Sequence, residues 1–189
     1  MSNCYWNHFK TVIRHKWYVF KLMSKAGRPI QGLMHDMSKF GLIEFCSSAR
    51  YWNGTSSPID KEKEELGYSM AWQHHKGHNP HHPEYWIDNV MKPGEEPQAL
   101  LMPKEYAIEM VCDWIGAGMA YEKEKWTYDR PIEWFKNIGS KRRIHPAILM
   151  FAEDVFLTIR REQSLDVINK RSLDFLYTYN LNRYEKEVE

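Results

Sequence analysis

The sequence predicts an all-α, single-domain helix bundle. Apolar residues recur at helical spacing along nearly the whole chain, and no stretch alternates like a strand between hairpin turns. Neither internal repeats nor low-complexity linkers divide it. Its 189 residues suit one domain with a sizeable core. Hydrophobic residues make up 43% and charged residues 27%, a balance that argues against disorder. Aromatics reach 14%, with eight Trp, so large rings are expected to build much of that core.

A first helix is expected from about Asn3 to Ser24, because Tyr5, Phe9, Val12, Val19 and Leu22 recur at steps of three, four and seven. Gly27 ends it or lies just beyond, and Pro29 is placed to open a short second helix through about Met37. A third covers about Leu42 to Trp52, where Asn53-Gly54 stops it. Asp60 is the expected cap of a fourth, whose acidic start suits the helix dipole; this helix carries Met70 to His75 toward its end. Gly77-His78-Asn79-Pro80 breaks it. A helix or turn then runs from His81 to about Met91, and Lys92-Pro93-Gly94 begins a loop. Pro103 starts a sixth helix, through about Glu124. Further helices are expected near 131–138, 146–162 and 171–185. In the last two, Ile148, Phe151, Val155, Phe156 and Ile159, then Leu173, Phe175, Leu176, Tyr177 and Leu181, read as core stripes.

The net charge of +1 gives no overall field to recruit bulk nucleic acid or an anionic membrane. The strongest basic run, Lys141-Arg142-Arg143, reads as a solvated loop. No stretch has the length of a membrane-spanning helix, and the N-terminal residues lack a signal-peptide core. Three cysteines (Cys4, Cys46, Cys112) without paired spacing read as reduced thiols, and the expected compartment is the cytoplasm.

Chemistry is concentrated in nine histidines and a few acids. His35 and Asp36 are adjacent. On a helix, neighbours point about 100° apart, so both serve one cluster only if it lies across the helix face. A carboxylate there can bridge two cations while the imidazole binds one. His15 lies inside the first helix. His74, His75, His78, His81 and His82 crowd into nine residues. Asp113 is flanked by apolar residues, a costly place for a charge without a partner. Mixed imidazole and carboxylate donors suit Fe, Mn, Zn, Ni or Co without choosing among them.

The order His, His-Asp, His-rich block, Asp resembles the HD superfamily, and Leu33-Met34-His35-Asp36-Met37-Ser38-Lys39 is similar to its His-Asp-x-Gly/Ser-Lys form. The block Ala71 to Trp86 resembles a family of short HD-like proteins of bacteria and their phages. The resemblance spans about residues 5 to 120 and implies an HD-type bundle holding two divalent transition-metal ions. It makes His15, His35, Asp36 and Asp113 the core ligands, with Asp36 bridging. His75, His81 and His82 are preferred over His74 and His78 for the second ion. Lys39 would approach a substrate phosphate, and Asn79 and Glu84 are candidates to orient imidazoles. The histidine groups stand closer together than in the better-known subgroups, and a Gly-Tyr-Pro element is missing, which argues against a cyclic dinucleotide substrate. The implied activity is hydrolysis of a small, nucleotide-like phosphate ester. The alternatives are a di-iron oxygenase and a non-enzymatic interaction protein with a structural metal site; an oligomer is compatible with any of them.

Overall fold

The computed structural model describes residues 2–54, 56–89 and 94–188. Nine α-helices account for most of them: α1 (Ser2–Lys25), α2 (Pro29–Met34), α3 (Leu42–Tyr51), α4 (Pro58–Leu66), α5 (Met70–His78), α6 (Lys104–Glu122), α7 (Arg130–Asn137), α8 (Pro146–Glu162) and α9 (Lys170–Val188). The fold is an all-α bundle, as the helical periodicity predicts. No helix among the described residues is long and apolar enough to cross a membrane.

The central element is α6. Ala107 to Asp113 are buried without interruption, because α1 covers one side of the helix and α7, α8 and α9 cover others. Close approach to α1 needs Gly116, where an added Cβ would lie 2.8 Å from Val19 Cγ2 and 3.3 Å from Val19 N. One apolar cluster joins Val19, Leu22 and Met23 of α1 to Ile108, Val111 and Ile115 of α6 and Phe151, Val155 and Phe156 of α8. The expected α8 stripe is core. In α9, Leu173 is fully buried, but Phe175 lies at the surface, stacked on Tyr179 at 5.9 Å. The Trp rings do not fill the core as expected. Its large, wholly buried side chains are Ile, Leu, Met and Phe, while Trp86, Trp114, Trp126 and Trp134 wrap it from outside. Trp is large enough that one edge usually reaches solvent.

Three expected boundaries move. The helix that was to run from Asp60 through His75 is two helices, since Gly67 takes the left-handed conformation (φ 79) and caps α4. The residue before α4 is Ser57, with Asp60 in its first turn, and Ser69 caps α5 by accepting from Trp72 N at 2.9 Å. The second helix ends at Met34, not Met37. After α5, Pro83–Trp86 is a 3-10 turn, followed by β1 (Ile87–Asp88) paired antiparallel with β2 (Gln98–Ala99). Two-residue strands are too short to show alternation. The expected ends at Met91 and Lys92-Pro93 lie outside the described residues.

Candidate metal centre

His15 faces inward from α1, on the side that packs against α6. The His35-Asp36 doublet does not ride on a helix. His35 follows the last residue of α2 at φ −50, ψ 130, outside the helical region, and Asp36 is left-handed (φ 53, ψ 32) before the 3-10 turn Met37–Phe40. The sharp turn, rather than helical geometry, brings both side chains to one cluster. Asp tolerates the left-handed region better than most residues, at a cost of about 1–3 kcal/mol held by its surroundings. Lys16 on α1 fixes the turn by donating to Leu33 O at 2.7 Å and His35 O at 2.6 Å. His75 sits on α5, and His81 and His82 on the loop after it. Asn79 ties that loop to the doublet's turn, donating to His75 O at 2.7 Å and Ser38 Oγ at 2.8 Å.

The other six sequence-expected ligands converge on Asp36 from two sides. Its Oδ2 lies 3.2 Å from His35 Nε2 and 3.7 Å from His15 Nε2. Asp113 Oδ1 completes that pole, 3.0 Å from His15 Nε2 and 3.3 Å from His35 Nε2. On the other side, Asp36 Oδ1 lies 3.4 Å from both His75 Nε2 and His81 Nε2. His82 Nε2 stands 2.8 Å from His75 Nε2, so the second pole is Asp36, His75, His81 and His82. Every one of these residues is buried.

The atoms present fit a pair of cations. Bonds of about 2.0–2.2 Å to one ion place neighbouring ligand atoms about 3–3.6 Å apart, close to the 2.8–3.7 Å separations at the two poles. Imidazole nitrogens face each other in two pairs, His15 with His35 and His75 with His82. Lone pairs so placed repel unless a proton or a cation lies between them. Asp36 Oδ1 and His81 Nε2 are buried without a hydrogen bond, which costs free energy unless another partner binds them.

Two carboxylates absent from the sequence reading orient the rings. Glu109 Oε1 accepts from His35 Nδ1 at 2.8 Å and lies 3.3 Å from His81 Nδ1, touching one histidine of each pole. Glu44 accepts from His75 Nδ1 and His74 Nδ1, both at 2.7 Å. Such bonds hold Nδ1 protonated and aim the Nε2 lone pair at the pole. Glu109 has a sequence signal: it precedes Asp113 by four residues in an apolar run, so the two share a helix face. Glu44 has none. His74 is turned to Glu44, and exposed His78 donates Nδ1–H to His74 O at 2.7 Å, so neither joins a pole. Glu84 does not orient an imidazole; it pairs with Arg142 at 3.1 Å.

The field around Asp36 and His35 favours positive charge. Burial opposes ionisation of Asp36, but His35, Lys39 and His75 outweigh it and hold its pKa well below the ordinary carboxylate range. Asp113 is lowered likewise by His15 and His35, against burial. Burial also opposes ionisation of Glu109, yet bonds from His35 and His81 bring it down to about 2. His35 is buried, which disfavours its cation, but Asp36, Asp113 and Glu109 raise its pKa well above the usual imidazole value. Burial, with His81 and His75 beside it, keeps His82 neutral and able to ligate. Lys39 Nζ lies 2.6 Å from Asp36 Oδ2, with 28% of its side chain exposed, and links the cluster to solvent.

Residues 4–157 match the model of a family described as a family of unknown function (DUF5662), a span that includes every ligand candidate. No curated protein and no solved structure matches the chain.

Proposed function

The chain belongs to this family of unknown function, and we propose that its histidine cluster is a dinuclear HD-type metal centre that hydrolyses a small, nucleotide-like phosphate ester. The observation that supports the reading most is the Asp36 carboxylate, whose two oxygens face different sets of Nε2 atoms. His15, His35 and Asp113 would hold one ion, His75, His81 and His82 the other, and Asp36 both. Two bound ions supply an activated water and stabilise charge building up on a phosphoryl group. Glu109 and Glu44 keep the imidazoles aimed, so little reorganisation is needed when substrate arrives. Lys39 carries a positive charge at the partly exposed edge of the cluster, where it would bind a phosphate oxygen.

The burial of every ligand favours a second reading, in which the same ions only brace an interaction protein, since structural metal sites are closed. Elemental analysis of protein purified without an affinity-metal step, beside Asp36→Ala, tests the centre. About two ions per chain, lost in the variant, are expected. A folded protein that neither retains metal nor binds added metal would sink the reading. Turnover of mono- and diesters by the loaded protein supports the hydrolase. Iron with O₂-dependent turnover would instead make it an oxygenase, and two ions without turnover would favour the structural role.

A further inference from the structure

The exposed residues of α1 make one stripe. Trp6, Lys10, Ile13, Trp17 and Lys21 follow at steps of three and four, opposite the face that enters the core. Both Trp rings are 55% exposed. Lys10 lies 5.3 Å over the Trp6 ring, and Lys21 lies 4.9 Å over the Tyr18 ring and 5.7 Å over the Trp17 ring.

The stripe continues onto neighbouring elements. Trp6 stacks on Phe9 at 5.6 Å, and Phe9 meets Phe40 just before α3 at 6.4 Å. Trp17 stacks on Phe20 at 5.8 Å, and Phe20 packs where Gly32 brings α2 against α1. On α2, the turn after it and the start of α3, Ile30, Leu33, Met34, Met37, Leu42 and Ile43 are all exposed, Ile30 by 78% and Leu42 by 81%. Scattered apolar residues need no explanation, but a continuous apolar surface marks a site of contact.

Charge identifies the occupant. Residues 1–43 contain seven Lys and Arg and a single acid, Asp36, which is buried in the histidine cluster. Lys16, Lys25 and Lys39 are held by Leu33 O and His35 O, by Asp166 and by Asp36, while Lys10 and Lys21 stand over the exposed rings. Glu44, the next acid, is also buried and turned to His74 and His75. The net charge of +1 therefore averages a basic N-terminal region with an acidic remainder. We infer that the face formed by α1, α2 and the start of α3 docks on an anionic lipid surface. Trp6, Trp17 and the aliphatic side chains enter the headgroup boundary, while Lys10 and Lys21 extend along the rings toward lipid phosphates. The inference rests on this surface alone and is independent of the chemistry proposed for the metals.

Vesicle flotation of the full chain tests it, using phosphatidylcholine alone and phosphatidylcholine with about 30% phosphatidylglycerol. Binding is expected to the anionic vesicles only, with a blue shift of Trp emission and release at high salt. Trp6→Ala/Trp17→Ala and Lys10→Glu/Lys21→Glu are each expected to weaken binding about tenfold or more, with unchanged circular dichroism and melting. No flotation with anionic vesicles would overturn the inference, as would binding that both folded double variants retain. A concentration-dependent dimer split by Trp17→Asp would assign the face to a second copy and overturn it too.

Discussion

Removing Glu109 strikes both poles at once. One of its oxygens accepts from His35 Nδ1 at 2.8 Å and lies 3.3 Å from His81 Nδ1, while Gln31 Nε2 holds the other at 2.6 Å. Glu109→Ala leaves two buried ring N–H groups without their acceptor and lets both imidazoles turn away from Asp36. Loss of such a supporting carboxylate lowers metal affinity by about 10–100-fold, or about 1.4–2.7 kcal/mol per ion. Because the carboxylate serves His35 on one pole and His81 on the other, both ions are expected to bind more weakly. Glu44→Ala removes the partner of His75 alone among the ligands, so one ion should weaken and the other stay. Glu109→Gln keeps an acceptor oxygen and should retain part of the affinity. Titrating chelator-stripped protein with Zn²⁺ or Mn²⁺ against a chromophoric chelator resolves stoichiometry and affinity. A folded Glu109→Ala protein that binds two ions as tightly as the wild type would refute the reasoning. Equal weakening of both ions by Glu44→Ala would refute the assignment of histidines to separate poles.

Three further outcomes are expected. Lys39→Ala should keep both ions but lose about 10²-fold in turnover of phosphate esters, the scale for removing one positioned charge donor; unchanged kcat in a folded variant would remove Lys39 from the reaction. Gly32→Ala should destabilise by about 1–3 kcal/mol despite the better helix propensity of Ala, because its Cβ would lie 2.6 Å from Met23 Cβ and 3.2 Å from Phe20 Cα. A thermal melt reads the loss, and an unchanged Tm would show that α2 shifts freely on α1. Burial, with Lys39 nearby, lowers the pKa of His8 from 6.5 to about 4, so the unfolded chain protonates first as pH falls. Stability from neutral His8 is therefore complete above about pH 6.5 and lost by about pH 4, and urea unfolding of chelator-stripped His8→Phe should show a shallower fall across that window. A fall as steep as the wild type's would place the acid sensitivity elsewhere.

The helices were largely legible because their signals are local. Val12, Val19 and Leu22 mark the inner face of α1 by spacing alone, and Gly27 stops it with a positive φ of 76. Where the reading failed, conformations compatible with the pattern competed. The run from Asp60 to His75 has no proline; the left-handed turn at Gly67 and the extended cap at Ser69 separate α4 from α5. The His35-Asp36 doublet sits beside α2 but outside it, since the side chains reach one cluster through the unusual backbone of Asp36. Phe175 shows that an apolar residue at helical spacing need not face the core.

By itself, the sequence determined the fold class and the residue types able to hold metal: the histidines, Asp36 and Asp113 have few uses in an apolar bundle except as partners of one another or of a cation. Tertiary structure alone decided the pairing. His35 meets Glu109 across 74 positions of chain, and Glu44 reaches His75 across 31. No periodicity specifies such contacts; they follow from how closely α1, α2, α3, α5 and α6 pack. Hydrogen bonds act over about 3 Å. Which nitrogen faces which carboxylate oxygen is therefore settled only when the helices come together.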